Sequence, residues 1–263
     1  MSMHSADGIQ YIASPLFPAK EVNHAFLSRI GGVSEPPFDS LNFDNRDTDT
    51  SENIEKNRDK LSKALDVPVK NIVLVNQVHG SKVLVIKDSN HAGQPIVEAD
   101  AIITDVAQVP IGIMTADCLP VLIYDPAKKA VAAVHAGWKG SAGGVSIEAI
   151  KAMRLQYGSD PKDMVAALGP YIGPCCYSIR ENVVAEFKNR FGSYTGYIQK
   201  FKDEIRLDIG LANIEQLTGS GIPKANISFE PVCTSCNNAL FFSYRKDGGR
   251  TGRQLSYIML KGS

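Results

Sequence analysis

Two apolar runs that follow each other closely in the sequence most restrict the folds open to this chain. The runs are CLPVLIY, residues 118–124, and AVAAVH, residues 130–135, and they are joined by the turn-forming segment DPAK at 125–128. Both are short, apolar and bounded by turn residues, as buried strands are. They therefore predict an antiparallel hairpin inside a sheet, with His135 at the end of its second strand.

The length of the connection predicts a register for this hairpin. A four-residue loop at 125–128, built on a type I turn around its proline, pairs Tyr124 with Lys129. The same register pairs Cys118 with His135. Opposed residues on antiparallel strands project from one face, about 5 Å apart at Cβ, so we expect the thiol and the imidazole to lie side by side. A slip of one residue would place them on opposite faces.

Strand and helix patterns alternate irregularly along the rest of the chain. Helical spacing of apolar residues predicts helices over 51–65, 143–157, 182–191 and 207–218. Apolar β-branched runs predict strands within 22–29, 71–87, 101–104, 109–115, 227–233 and 255–260. This order favours an α+β fold, arranged as three α/β/α layers around a mixed sheet, over a doubly wound dinucleotide-binding fold. No repeat or linker divides residues 1–263, so we expect a single domain.

Composition argues against several classes of function. Lys and Arg together equal Asp and Glu, 28 each, so no basic excess favours nucleic acid or a membrane surface. No apolar run approaches the ~20 residues of a membrane span, and the N-terminus lacks the apolar region of a signal peptide. Five cysteines, an odd number, then favour reduced thiols in the cytoplasm, with chemical or metal-binding roles open to them.

His135 has two potential partners in a metal site. Cys118 lies at the start of the same hairpin, and His79 ends its own predicted strand before a Gly-Ser turn. Two histidines and one thiolate from separate strand ends resemble a catalytic zinc site, in which a fourth position stays open and a bound water can reach a pKa of about 7. The same atoms also suit a Cys-His nucleophile pair or a buried structural cluster. Asp117, next to Cys118, is a candidate either for a general base or for a residue that supports the metal ligands.

Three further features are weaker. The CxxC at Cys233–Cys236 could complete a zinc site with 175–176 or form a redox pair, but the absence of a second CxxC favours packing or an accessory role. The glycine-rich run 140–144 opens a predicted helix, where free amides could hold phosphate. Arg29 lies beside glycines and is a candidate ligand for phosphate or carboxylate.

Eight segments of the chain match the motifs of a known family. They are SRIGGVS (28–34), LNF (41–43), NQVHG (76–80), EADAIIT (98–104), TADCLPVL (115–122), HAGWKG (135–140), LGPYIGPCCY (168–177) and TGRQ (251–254). The chain resembles the YfiH-like laccase-domain, or polyphenol oxidase, family, also called the peptidoglycan editing factor family. The resemblance runs from about residue 23 to the C-terminus, and NQVHG, TADC and HAGW in this order are highly specific for it.

The resemblance implies a fold, a metal and an activity. The fold is a layered α/β/α domain, distantly similar to a toxin fold that uses Cys and His. The metal, usually zinc, is held at His79, Cys118 and His135. The activity is the phosphorolysis of adenosine, inosine or 5′-methylthioadenosine, together with the deamination of adenosine.

The residue patterns and the family resemblance together give the predicted site residues. The candidate catalytic residues are Cys118, His135 and Asp117, and the candidate substrate contacts are Arg29, Asn42 and Gln77. The roles of Asn42 and Gln77 come from the resemblance alone. One departure is visible: residues 42–47 read NFDNRD where family members often have glycines, so we expect this loop to influence substrate preference.

Two other functions stay open at this point. A multinuclear copper oxidase needs many imidazoles, whereas three of the five histidines here, His4, His24 and His91, have no partner in sight. However, two histidines and one cysteine, with Met114 near in sequence, also match type 1 copper, so Cu²⁺ is a candidate beside Zn²⁺. In a non-catalytic alternative, the site binds a cell-wall precursor without turnover. For the leading function, the expected partners are a purine nucleoside and phosphate, and the chain is expected to be a monomer or a weak homo-oligomer.

Overall fold

A computed structural model describes residues 2–46, 49–89, 96–192 and 196–262; His91 lies outside these ranges. The elements in chain order are β1 Ser2–Ala6, β2 Ile9–Ala13, β3 Val22–Leu27, α1 Ser51–Leu65, β4 Val83–Ile86, β5 Ala101–Thr104, β6 Ile111–Thr115, β7 Leu119–Asp125, β8 Ala130–Ala136, α2 Trp138–Gly143, α3 Val145–Tyr157, β9 Val165–Leu168, β10 Ser178–Ile179, α4 Glu181–Phe191, β11 Ile198–Phe201, β12 Glu204–Leu207, α5 Ile209–Gly219, β13 Ile227–Phe229 and β14 Gln254–Leu260. In the described part of the chain, no helix is both long and apolar enough to pass through a bilayer.

The hairpin of β7 and β8 lies at the centre of a six-stranded mixed sheet, as the sequence predicts. The strand order is β13-β9-β7-β8-β5-β4, with the outer pairs parallel and the inner pairs antiparallel. A second, antiparallel sheet has the order β1-β2-β3-β14-β6, and three short strands form a third, β10-β12-β11. The α+β class with mixed sheets is thus confirmed.

The two large sheets stack face to face between helices. Alternate residues of β7 and β8 separate into two apolar clusters, one packed on α3 and α5 and the other on the five-stranded sheet. A third cluster joins the opposite face of the five-stranded sheet to α1 through Leu61. Because both faces of the central strands are covered, β7 and β8 are fully buried along their whole length, which explains their continuous apolar sequences.

The register of the β7–β8 hairpin differs from the prediction by two residues. Asp125 pairs with Ala130 and Pro120 pairs with His135, so the loop is 126–129 and not 125–128. Asp125 stays in the ladder because its side chain turns the loop locally: its Oδ1 accepts hydrogen bonds from the amides of residues 127 and 128 at 2.9 and 3.0 Å. A shift of two residues preserves the face, so Cys118 still lies on the side of His135, one residue before β7 begins.

The helix expected over 143–157 is preceded by a separate short helix, α2. Gly144, at a φ of 77°, ends α2 and begins α3. The run 140–144 therefore lies within α2 and its C-cap, where the amides of Ser141 and Gly144 already donate to carbonyl oxygens of this short helix and its cap. The free helix start proposed there as a phosphate site is not formed.

Candidate metal centre and substrate cavity

Three of the predicted site residues come together at one end of the two large sheets. His79 lies in the loop before β4, Cys118 in the turn between β6 and β7, and His135 near the end of β8. One ligand atom from each lies within 4.8 Å of the others. The Cys118 sulfur is 3.8 Å from His79 Nε2, and the two imidazole rings meet edge to face with centroids 4.9 Å apart. His79 is exposed, whereas His135 is buried, so this arrangement opens toward His79.

Asp100, which the sequence reasoning did not select, orients both histidines. This fully buried carboxylate accepts a hydrogen bond from His135 Nδ1 at 2.8 Å. It also accepts hydrogen bonds from the amides of His79 and Gly80 at 2.9 and 2.6 Å. With Nδ1 of His135 engaged, Nε2 is left for a metal, as in the carboxylate–histidine pairs of zinc enzymes. In the sequence, Asp100 lies inside the motif EADAIIT, but nothing there marks it as a partner of the two histidines.

The turn that carries Cys118 is fixed by the side chain before it. Asp117 adopts a left-handed backbone, with a φ of 86°. Its Oδ1 accepts from Thr234 Oγ1 at 2.6 Å and its Oδ2 from the amide of Arg245 at 2.7 Å. Both carboxylate oxygens are thus engaged by protein donors. This arrangement suits a residue that positions Cys118 better than it suits a general base.

A glycine leaves room for the three ligands. A side chain at Gly137, the residue between β8 and α2, would place its Cβ 2.9 Å from His79 Cδ2 and 3.0 Å from the Cys118 sulfur. Both distances are too short for such contacts, so the HAGW motif keeps this position without a side chain.

The charges of the site favour a thiolate. Burial disfavours charge on both Cys118 and His135, but their mutual attraction prevails, lowering the pKa of Cys118 to about 6 and raising the pKa of His135 to about 9. Burial also opposes the charge on Asp100, but hydrogen bonds from His135 and the 79–80 amides lower the pKa of this carboxyl. A thiolate, two imidazoles and an oriented Nδ1–H fit a zinc site with an open position.

The three ligands lie on the wall of a cavity of about 530 Å³. Aromatic side chains, apolar side chains and arginines from separate segments of the chain form most of the rest of the wall, together with Gln77, Thr115 and Asp117. The aromatic and apolar residues are Trp138, Tyr177, Tyr244, Met114, Ile172 and Ile209, and the arginines are Arg46, Arg245 and Arg253.

The predicted substrate contacts occupy different places. Gln77 lines the cavity, but both ends of its amide bind the backbone of Met114, at 2.7 and 2.8 Å. Asn42 is fully buried and accepts from the amide of Arg253 at 2.8 Å. Arg29 binds Asp39 and the carbonyl of residue 238. Asn42 thus supports the cavity wall through Arg253, whereas Arg29 does not line the cavity.

Comparison with known proteins identifies the family. The family model described as "multi-copper polyphenol oxidoreductase laccase" matches residues 23–261. The chain belongs to this family. The region matched starts where the motif resemblance starts and covers all three candidate metal ligands.

Members of the family with similar sequences and structures are named as nucleoside enzymes or as YfiH proteins. Purine nucleoside phosphorylase YlmD of Geobacillus stearothermophilus is 34% identical over 236 residues, covering 87% of this chain and 86% of the relative. Purine nucleoside phosphorylase YfiH of Shigella flexneri is 37% identical, covering 89% and 91%. The crystal structure of the Geobacillus YlmD superposes with a TM-score of 0.91 at 32% identity and covers 98% of each chain. The Bacillus licheniformis hypothetical protein YfiH superposes with a TM-score of 0.89 at 32% identity, covering 98% and 99%.

Proposed function

We propose that this protein is a zinc-dependent purine nucleoside phosphorylase. It would convert adenosine, inosine or 5′-methylthioadenosine, together with phosphate, into the free base and ribose 1-phosphate or its methylthio counterpart. The observation that carries the proposal is the position of His79, Cys118 and His135 on the wall of a cavity that also contains arginines and aromatic rings. The names of the relatives point to the same chemistry.

The cavity supplies what each substrate needs. Its volume of about 530 Å³ is in the range of small-molecule sites. A purine can stack on aromatic side chains, for which Trp138, Tyr177 and Tyr244 are available. Planar guanidinium groups bind phosphate oxygens in pairs, which makes Arg245 and Arg253 the candidate phosphate ligands in place of Arg29. Arg46 also lines the cavity, but its guanidinium is paired with Asp44 at 2.8 Å.

The side chains around the three ligands keep the centre in order. Asp100 holds His135 in the tautomer that leaves Nε2 free for zinc. Asp117 fixes the Cys118 turn through Thr234 and the amide of Arg245, and we assign it a positioning role. Zinc in such a site polarises a substrate oxygen or lowers the pKa of a bound water. The same centre would serve the deamination of adenosine, in which water replaces the 6-amino group and ammonia leaves.

The test measures products and metal together. Purified protein with one full equivalent of zinc at the histidine-containing centre is incubated with each nucleoside, with and without phosphate. We expect phosphate-dependent release of base with ribose 1-phosphate, and phosphate-independent conversion of adenosine to inosine. Cys118→Ser and His135→Ala should lose both activities, while His4→Ala, at an exposed histidine, should keep them. No turnover of any of the three nucleosides at full zinc occupancy would overturn the proposal.

A copper-dependent oxidation of phenols is the second candidate, because the family description names a laccase and Met114 lines the cavity. Among the residues that the structure describes, two clusters bring together three or more candidate ligands, and one of these contains histidine. The multinuclear copper centre of a typical laccase therefore has no counterpart in that part of the chain. A mononuclear copper oxidase would require oxygen uptake with a phenol by the copper-loaded protein and none by the zinc-loaded protein. The cytoplasmic location and the monomeric or weakly oligomeric state stay predictions.

A further inference from the structure

A second group of metal-binding side chains lies apart from the histidine-containing centre. The sulfurs of Cys175, Cys176, Cys233 and Cys236 all lie within 4.8 Å of one another. The Cys236 sulfur is 3.5 Å from that of Cys175 and 3.4 Å from that of Cys176. The CxxC at 233–236 thus finds its complement in two adjacent cysteines far away in the sequence.

Backbone hydrogen bonds hold the two cysteine segments together. The amide of Tyr171 donates to the carbonyl of Val232, and the amide of Thr234 donates back to the carbonyl of Tyr171, at 3.2 and 2.9 Å. The amide of Gly173 points at the Cys233 sulfur, 3.3 Å away. The four sulfurs are therefore arranged by the fold around one point.

We propose that Cys175, Cys176, Cys233 and Cys236 bind a second zinc ion in a closed, tetrahedral, all-thiolate site. Zinc–sulfur bonds of ~2.3 Å place the corners of a tetrahedron ~3.8 Å apart, close to the spacing of these sulfurs. A disulfide would need ~2.05 Å. A tetrahedral set of four thiolates suits zinc or iron–sulfur chemistry, and of these the proposal commits to zinc. Four protein ligands leave no open position, so this site is structural.

Positively charged side chains lie near the four cysteines. One divalent cation with four thiolates carries two net negative charges. Arg206 and Arg245 each direct a guanidinium at a backbone carbonyl of this cluster, at Cys175 O and Cys176 O, over 3.4 and 3.5 Å. Arg206 is also paired with Glu204 at 3.2 Å, so Arg245 is the cation that offsets the negative charge of the site.

The second zinc would fix one wall of the cavity. Tyr177 follows the cysteine pair directly, and Ile172 precedes it by a short turn; both line the cavity. Thr234, inside the CxxC, donates to Asp117 at 2.6 Å. The site therefore ties the segments 171–177 and 233–245 to each other and to the turn that carries Cys118. Binding of this zinc does not depend on the proposed nucleoside activity.

Metal content provides the test. Protein purified without oxygen and reconstituted with zinc should hold two zinc ions per chain. Cys118→Ser should keep one, and X-ray absorption on this variant should show four sulfurs at ~2.3 Å and no nitrogen. Cys236→Ser should also keep one, with both nitrogen and sulfur around it. Ala239→Ser, a control at an exposed position in the same loop, should keep two.

Three results would overturn the proposal. They are a reconstituted Cys118→Ser without zinc, fewer than four sulfurs around its zinc, and iron or copper in place of zinc at these cysteines in the protein as purified. If Cys118→Ser does not fold, the unmutated protein still decides the question. Two occupied sites average about 2.5 sulfurs per zinc, whereas the histidine-containing centre alone gives about 1, and the lower value would refute the second site.

Discussion

Asp100 is the residue on which the geometry of the histidine-containing centre most depends. Its carboxylate binds His135 Nδ1 and the amides that shape the His79 loop. Asp100→Asn replaces one acceptor oxygen by a donor, so one of these bonds is lost. We expect zinc affinity at this centre to fall about 10- to 100-fold, as it does when such partners are removed, with little change in secondary structure.

A chelator competition in a Cys236→Ser background measures this centre alone. The matched control is Asp105→Asn, which should leave the affinity unchanged. Asp105 is an exposed carboxylate directly after β5, the strand that Asp100 precedes. Equal affinities in the two variants would mean that Asp100 only stabilises the loop.

His24 makes the stability of the protein depend on pH. Burial, and to a smaller extent the nearby His4, lower the pKa of His24 to about 4 from a value of 6.5. Its Nε2 accepts a hydrogen bond from the amide of Ser14 at 2.8 Å, which requires the neutral ring. The unfolded chain therefore binds the proton more readily than the folded protein. Stability should be unaffected above pH 6.5 and should fall by up to about 1.4 kcal/mol per pH unit between pH 6.5 and 4.

Denaturant unfolding at several pH values tests this expectation. In His24→Gln, the amide oxygen can still accept from Ser14 without titrating, so the dependence in this pH window should become flatter by the same amount. His4→Gln, at an exposed histidine, is the control and should flatten it much less. A His24→Gln curve parallel to that of the unmutated protein would contradict the assignment.

At the scale of the elements, the connection from β8 to α2 is shaped by the metal ligands. Gly137→Ala would bring a methyl group within 2.9–3.0 Å of the His79 ring and the Cys118 sulfur. We expect the ligands to be pushed apart and zinc affinity at this centre to fall at least tenfold, measured by the same competition.

Gly143→Ala at the end of α2 is the matched control, because the nearest atom to its new Cβ is 3.7 Å away. Its affinity should be unchanged, and alanine in a helix should raise the melting temperature slightly. If Gly137→Ala also binds zinc normally, the turn can relax to accept the methyl group. Lack of room beside the ligands would then not explain the glycine at this position.

Elements governed by local interactions could be predicted from the sequence, and their register could not. Helix α1 spans the predicted residues because Thr50 caps it, accepting from the amide of Asn53 at 3.2 Å. This interaction is local, because the two residues are close together in the chain. The β7–β8 loop begins one residue later than predicted because the Asp125 side chain binds the loop amides. The segment 71–78 has strand-like residues but forms only single bridges, Val73 with Ile111 and Asn76 with Glu98.

At the scale of the whole molecule, the candidate site is assembled from segments that only the fold brings together. The motifs NQVHG, TADC and HAGW name three ligands, but Asp100 gains its meaning from its position between the loops of His79 and His135. The four cysteines follow no regular spacing, so the sequence offers their proximity only as one alternative, and the fold decides it. Likewise, Arg245 and Arg253 look like surface residues in the sequence, yet they line the cavity because the chain from 233 to 253 folds back over it.

This assembly predicts where phosphate binds. Arg46, Arg245 and Arg253 reach the cavity from different parts of the chain, and the charge of Arg46 is offset by its ion pair with Asp44. We expect Arg245→Gln and Arg253→Gln each to raise the KM for phosphate about tenfold, a loss of about 1.4 kcal/mol of binding. Arg46→Gln should raise it less. The KM for the nucleoside should change little, because in the proposed binding mode the base lies on the aromatic side chains.

Steady-state kinetics with each substrate varied in turn separate these effects. Arg154→Gln, an exposed arginine on α3, removes the same charge far from the cavity and should leave both constants unchanged. Salt screens the effect of a distant surface charge, but screens a close contact much less. The effect of an arginine that contacts phosphate should therefore persist at high ionic strength. If all three variants bind phosphate normally, the phosphate site lies outside this cavity. If they raise only the KM for the nucleoside, the arginines bind that substrate.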